Sequence, residues 1–287
     1  MPDGDDARWI VETINDEQGY RIALSAPDGI ETVAGMQDLA LFTNPAFERV
    51  LMLDGAIQVT TADEFIYHEM MTHVALFAHG AVRRILVVGG GDGGIAREAL
   101  RHASVESVTL VEIDRDVVDL ARRAMPEVSN GAFDDPRLDL VIADGAAFVR
   151  DGTAQYDAII IDSPDPVGPG KMLFEPAFYA ACKARLAPHG VLVTQSGMPF
   201  LTPDWFKAHM RDLAGVFPAR ATFLSTVPSY AGGPMAHGLC PLDAALIDVS
   251  QATLAARHAE AGMGLRYWTP ALHHGAFALP GYIARML

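Results

Sequence analysis

Residues 84–100 read RILVVGGGDGGIAREAL, placing five glycines and one carboxylate, Asp92, between a β-branched run and a helix-forming run. Gly89, Gly91 and Gly94 have the GxGxxG spacing of a nucleotide loop. Glycine allows positive φ and close approach of a ligand to the backbone, and the helix that follows offers free N–H groups and a positive dipole end. Glu112, in TLVEID at the end of the next apolar run, falls where a carboxylate accepts hydrogen bonds from ribose hydroxyls. Asp144 and Gly145, in VIADGAAF, close a third run, where an adenine amino group finds an acceptor. A dinucleotide would lay its pyrophosphate over the glycines, and Asp92 would oppose that charge. A sulfonium nucleoside has no phosphate and carries positive charge, so Asp92 favours it. The plain alternative is a tight strand-to-helix turn with no ligand.

A second stretch, YDAIIIDSPDPVGPGKMLF at 156–174, puts Asp162 and Asp165 just beyond another apolar run. In open α/β sheets that edge is where ligands bind. A carboxylate there suits an amine nucleophile. An alkylammonium with a pKa near 10.4 costs about 4.6 kcal/mol to neutralise at pH 7, and a positioned acceptor lowers that burden. Asp162 can bind the ammonium, orient it and take its proton while the nitrogen attacks a carbon beside sulfonium. The competing reading makes both aspartates turn or helix caps.

The elements that must position these groups alternate. Residues 9–61 read as short strands separated by turn residues: WIVETI, GYRIALS, IETVAGM, QDLALFT, RVLMLDG and AIQVTT. Thr61 and Glu64 have capping-box spacing, and Phe65, Met70, Val74 and Phe77 follow at helical intervals, predicting a helix of about four turns. Beyond it, strands are expected at 84–89, 107–113, 138–143, 157–162, 190–196 and 219–227, with helices at 93–102, 115–124, 175–186 and 203–214. A further strand, LDAALIDV, and a helix at about 250–261 follow. The fold class expected is α/β, a doubly wound, mostly parallel sheet with a small N-terminal antiparallel β domain. Residues 1–61 would form the β domain and 62–287 the Rossmann-like catalytic domain.

Of the 287 residues half are hydrophobic, enough for a sizeable core, and the formal net charge is -15. That charge argues against nucleic acid as a partner, which needs clustered Lys and Arg, and fits cationic small molecules. No apolar run is long enough to span a membrane, and MPDGDDARW is no secretory n-region, so a soluble cytoplasmic protein is expected. Cys182 and Cys240 stand alone and are expected to be buried thiols. His68, Glu69 and His73 suggest a metal motif only superficially. The two histidines are five apart, about 140° out of phase on a helix, so no metal is expected. His73, His79 and His102 read as packing or surface residues.

Taken together, LDGAIQVTTADEFIYHEMMTHV, VVGGGDGGIARE, VEID, DDPR, DGAAF, DSPDPVGP, LFEPAFY and AFALP, in that order over about residues 37–280, resemble the spermidine synthase family, the polyamine aminopropyltransferases. The resemblance implies an N-terminal β domain, a Rossmann-like domain of the class I S-adenosylmethionine methyltransferase kind, and transfer of an aminopropyl group from decarboxylated S-adenosylmethionine to a diamine, usually putrescine. It implies no tightly bound cofactor, the decarboxylated donor being a co-substrate, and a homodimer or homotetramer. Asp92 would then pair with the donor's ammonium and repel the carboxylate of ordinary S-adenosylmethionine. Carried over by residue, Gln37, Asp92, Glu112, Asp144 and Gly145 would contact the nucleoside, with Pro169 near the adenine, and Asp162 would be the proton acceptor. Tyr67, His68, Asp165 and Tyr230 would line the diamine channel, with Gln58 and Glu69 as weaker candidates.

The chain departs from that pattern in places. Pro164 and Lys171 stand where Ser or Thr and Glu are usual, His237 where an apolar aromatic is common, and Trp268 and Thr269 where Tyr and Asn are frequent. These changes leave the donor site intact and open the identity of the amine. The leading expectation is spermidine formation by direct in-line displacement, with 5′-methylthioadenosine leaving. An S-adenosylmethionine-dependent amine N-methyltransferase and a non-catalytic polyamine-binding protein are the alternatives, and a NAD-dependent dehydrogenase ranks last.

Overall fold

A computed structural model of the chain describes residues 8–15, 19–164 and 168–287. In chain order the strands and α-helices are β1 (Arg8–Asn15), β2 (Tyr20–Ala26), β3 (Ile30–Ala34), β4 (Asp38–Asn44), β5 (Glu48–Leu53), β6 (Ala56–Thr60), α1 (Glu64–His79), β7 (Arg84–Gly89), α2 (Gly94–Leu100), β8 (Ser107–Glu112), α3 (Arg115–Ala124) and α4 (Pro126–Ser129). Then come β9 (Leu138–Ile142), α5 (Gly145–Asp151), β10 (Tyr156–Asp162), α6 (Pro176–Ala184), β11 (Leu186–Gln195), α7 (Pro203–Val216), β12 (Ala221–Ser225), β13 (Met235–Pro241), α8 (Gln251–Ala261), α9 (Pro270–Ala276) and α10 (Gly281–Ala284).

The central sheet has the order β12-β13-β11-β10-β7-β8-β9. Strands β11, β10, β7, β8 and β9 run parallel, and β13 is antiparallel to both β11 and β12. Ile85 and Val87 of β7 join one core with α1 and α2, while Leu86 and Val88 join the other with α5, α6 and α7. That alternation shows why β7 is apolar throughout: a parallel strand covered on both faces has no polar side to keep. From β7 the chain moves outward to β8 and β9, then returns to the far side with β10. The order therefore reverses between β7 and β10, and a crevice opens at their carboxyl ends.

The N-terminal strands make a β1–β2 hairpin and an antiparallel β3–β4–β5–β6 sheet. Leu39, Leu51, Leu53 and Val59 pack on Val117 and Leu120 of α3, fixing this sheet beside the end of β8. Helix α1 is buried along almost its whole length, so its polar residues must find partners inside the protein. Its C-terminus closes on Gly80, whose φ of 77° is the left-handed conformation such an end requires.

Three local expectations are corrected. No capping box forms at Thr61 and Glu64. The helix starts from Asp63, whose carboxylate instead takes the Thr60 hydroxyl at 2.6 Å and the Ser229 N–H at 2.7 Å. Thr61 turns to Glu48 and Arg49, and Glu64 turns inward. LDAALIDV is not a strand: Asp243 caps a short 3-10 turn at Ala244–Leu246. The strand lies one step earlier, in β13, whose MAHGLCP sequence mixes breakers with small residues and hides a position buried on both faces. Helices α5, α9 and α10 also went unforeseen. Cys182 and Cys240 are buried free thiols, and burial pushes the Cys240 thiol up to about 12.

Candidate active site

At the switch point Gly89 and Asp162 are register partners at the carboxyl ends of β7 and β10. A Cβ on Gly89 would lie 1.9 Å from the Asp162 carbonyl oxygen, and Gly89 has φ 83°, so no other residue fits there. The Gly90 N–H then donates to that carbonyl at 3.0 Å, tying the glycine loop to the end of β10. A Cβ on Gly91 would lie 2.9 Å from the Glu112 side chain. The loop thus brings Asp92, Glu112 and Asp162 to one edge.

Tyr67 of α1 donates its hydroxyl to Asp162 Oδ1 at 2.8 Å. Burial and the nearby charge of Asp92 push the Asp162 carboxyl up to about 6, against the opposing pull of His68 and of the Tyr67 hydrogen bond. Asp92 accepts the Gly94 N–H at 2.7 Å and lies 3.5 Å from His68 Nε2. Burial disfavours charge on Asp92, yet His68 and the Gly94 N–H together hold its carboxyl below the usual range. His68 is buried too, which opposes its protonation, but Asp92 and Glu64 carry it up to about 10. At neutral pH the pair is therefore an imidazolium against a carboxylate.

Glu112 accepts the Asp114 N–H at 2.9 Å and is pushed up to about 7, chiefly by burial. Asp144 caps α5, accepting the N–H groups of Ala146 at 2.8 Å and Ala147 at 3.1 Å. Gly145 follows it, where a Cβ would meet Val88 at 2.5 Å. Gln37 lies half-buried in the bend between β3 and β4, which packs against the start of α3 through Gly35 and Asp116. Pro169 falls in the 3-10 stretch Gly168–Phe174, and Asp165 lies outside the described residues.

Tyr230, on the turn after β12, stands edge-on to Tyr67 with ring centroids 6.0 Å apart and donates its hydroxyl to the Gln58 carbonyl. His237 sits 5.7 Å from the Tyr67 ring, bonds Ser225 at 2.7 Å, and is neutral because burial pulls it down to about 3. Tyr67, Tyr230 and His237 thus form one wall beside Asp162. One of the weaker candidates leads elsewhere, and His73 is the packing residue expected. Glu69 is committed to three backbone N–H groups, those of Arg266, Tyr267 and Trp268, and Trp268 stacks on Phe77 inside the core. His73 also turns away from the site, bonding Glu98 and His102.

Glu64 and Arg97 were not foreseen. The i,i+4 spacing of Glu64 and His68 was visible in sequence, whereas Arg97 arrives from α2 and carries no local signal. A cleft of about 550 Å³ on the outer side of α1 and α2 includes both of them with Arg101 and Arg137. Each of these arginines is already held by a protein carboxylate, so the substrate groups are better sought at the sheet edge.

A Rossmann-like sheet, a glycine loop bearing a carboxylate, and a second buried carboxylate at the reversal point define a nucleoside-using enzyme of the α/β class. Residues 64–251 match the Spermine/spermidine synthase domain. The chain is 50% identical to the polyamine aminopropyltransferase of Ruegeria sp. (strain TM1040) over 278 residues, 97% of this chain and 98% of that protein. It is 45% identical to polyamine aminopropyltransferase 1 of Pseudomonas aeruginosa over 271 residues, 94% of this chain and 95% of that one. Among solved structures, a spermidine synthase in complex with the transition state analogue AdoDATO matches with a TM-score of 0.93 at 33% identity, covering 99% of this chain and 96% of the other. The spermidine synthase from Thermotoga maritima matches with a TM-score of 0.89 at 32% identity, covering 99% and 95%. The chain belongs to the spermine/spermidine synthase family.

Proposed function

We propose that this protein is an aminopropyltransferase that moves the aminopropyl group of decarboxylated S-adenosylmethionine to putrescine, giving spermidine and 5′-methylthioadenosine. The carrying observation is the convergence of two carboxylates, Asp92 and Asp162, on the carboxyl ends of β7 and β10, with Tyr67 bonded to the second. Each answers one cation. Asp92 receives the donor's ammonium, while Glu112, Asp144, Gly145, Gln37, Gly89, Gly91 and Pro169 surround its nucleoside. Asp162 receives the acceptor's ammonium between Tyr67 and Tyr230, with His68 behind them and Asp165 as a further anion.

The reaction is one displacement. Asp162 takes a proton from the attacking nitrogen, the lone pair forms a C–N bond to the carbon beside sulfonium, and the C–S bond breaks toward sulfur. The leaving thioether is neutral and needs no acid. An Asp162 carboxyl raised to about 6 is ionised at neutral pH yet more basic than an ordinary aspartate, as a proton acceptor requires.

The strands up to residue 61 act here as a β domain and residues 62–287 as the catalytic domain. A homodimer or homotetramer fits the apolar face of β1, where Trp9 is 63% and Val11 53% exposed. A cytoplasmic location suits this role, and no helix among the described residues is long and apolar enough to cross a membrane.

The test supplies purified protein with decarboxylated S-adenosylmethionine and putrescine, cadaverine, agmatine or spermidine, and identifies products by mass. Spermidine from putrescine is expected. Asp162→Asn should lower kcat by about a hundredfold or more while the donor still binds by calorimetry. Turnover with intact S-adenosylmethionine and a methylated amine as product would establish the N-methyltransferase reading instead.

A further inference from the structure

A chain of alternating charges runs from the surface to the donor loop. Arg97 of α2 grips Glu64 with two bonds, at 3.0 and 2.9 Å. Glu64 Oε2 stands 2.5 Å from His68 Nδ1, and His68 Nε2 stands 3.5 Å from Asp92 Oδ2. Both Glu64 and His68 are almost wholly buried, Glu64 at the wall of the outer cleft and His68 behind it. Each ring nitrogen of His68 thus faces a carboxylate, and Asp92 is the last charge before the crevice.

We propose that Glu64, gripped by Arg97, is a positioning residue for donor recognition: it orients His68 and holds its proton, and His68 in turn fixes the Asp92 carboxylate that meets the donor's ammonium. This rests on the proposed function of the same site. The physical reason is the sign of the field. With Glu64 ionised the four charges of Arg97, Glu64, His68 and Asp92 cancel, leaving the nearest of them, Asp92, to attract an incoming ammonium. With Glu64 neutralised the chain carries one uncompensated positive charge, which weakens that attraction. The groups facing His68 are Glu64 and Tyr67 on its own helix, Asp92 on the loop after β7 and Asp162 on β10, with Arg97 acting through Glu64.

Calorimetry on the full-length protein separates this role from a structural one, using two ligands that share the nucleoside. Decarboxylated S-adenosylmethionine carries the ammonium, and 5′-methylthioadenosine lacks it. Glu64→Gln is expected to weaken the first by about tenfold at pH 7 and leave the second within about twofold. The gap should shrink at pH 9, because His68 without Glu64 loses its proton there and the net charge is restored. In a His68→Gln background no imidazolium is left to hold, so the effect of adding Glu64→Gln on the donor should no longer change between pH 7 and pH 9. Equal weakening of both ligands, or a gap that ignores pH, overturns the proposal, as does a variant that binds like wild type. Failure of the wild type to bind the decarboxylated donor would overturn the proposed function itself. Should Glu64→Gln not fold, nitrogen NMR of the wild-type His68 ring decides: both nitrogens protonated at pH 8 are expected, and a neutral ring overturns the proposal.

Discussion

The ring of His68 fills the space that a side chain on Gly94 would occupy, an added Cβ there lying 2.2 Å from the imidazole. The last glycine of the GxGxxG spacing is therefore required by a neighbour on α1, and its missing side chain lets the glycine loop close on His68. Gly94→Ala has to push the imidazole away from Asp92 or open the loop. We expect a loss of about 1–3 kcal/mol in stability, typical of overpacking, together with weaker donor binding. Urea denaturation and donor calorimetry on the same variant check both, and an unchanged midpoint would show that the ring moves aside freely.

How far the sequence revealed this site depends on distance along the chain. Gly89, Glu112, Asp144 and Asp162 each close an apolar run and Asp92 follows in the glycine loop, and the structure puts every one at the carboxyl edge of the sheet because strand ends are written locally. The ladder from Arg97 to His68 was half legible. Glu64 and His68 share a helix face, but Arg97 reaches them only when α2 packs on α1. Strand β13 has no signal in MAHGLCP because it is paired in the sheet by β11 and β12 and covered on its faces by the two cores, all contributed by distant parts of the chain. Glu69 was misjudged for the same reason: its partners lie near residue 267, far along the chain.

Tyr67→Phe should move the acid side of the pH–rate profile. The Tyr67 hydrogen bond stabilises the ionised form of Asp162, so its removal raises a carboxyl already at about 6. With Asp162 as the proposed proton acceptor, activity should need it ionised and fall as pH drops through that value. In the variant the loss should begin at higher pH, by about half a unit to one unit. A kcat profile from pH 5 to 9 measures this, and an acid limb that stays in place would separate Tyr67 from the base.

Nucleoside affinity should depend on pH through Glu112. Its carboxyl, pushed up to about 7 by burial, is largely protonated at pH 6 and ionised at pH 8. An ionised carboxylate accepts from both ribose hydroxyls, and charged acceptors make the stronger bonds. Binding of 5′-methylthioadenosine should therefore tighten by several-fold, up to about tenfold, from pH 6 to pH 8. Glu112→Gln should bind weakly and without that slope. Calorimetry at both values is sufficient, and a wild type with no slope would mean that Glu112 is ionised throughout.

Glu69 joins the helix that carries Tyr67 and His68 to the segment after α8. Its carboxylate accepts the N–H groups of Arg266, Tyr267 and Trp268 at 2.8, 2.8 and 2.7 Å, and Trp268 stacks on Phe77 of the same helix at 4.5 Å. Glu69→Gln keeps the shape but turns charged acceptors into a neutral one and sets an N–H₂ against backbone donors. Hydrogen bonds to charged groups contribute about 1.5–3 kcal/mol each, and they do not add fully, so a loss of about 3 kcal/mol is expected. Because the anchor acts on the turn of α1 that carries Tyr67 and His68, donor and acceptor KM should rise together once the segment loosens. Amide exchange at Arg266, Tyr267 and Trp268 reads the local effect: these N–H groups should be well protected in the wild type and lose protection first in the variant. Protection that survives the substitution would show that Trp268 packing alone holds the segment to α1.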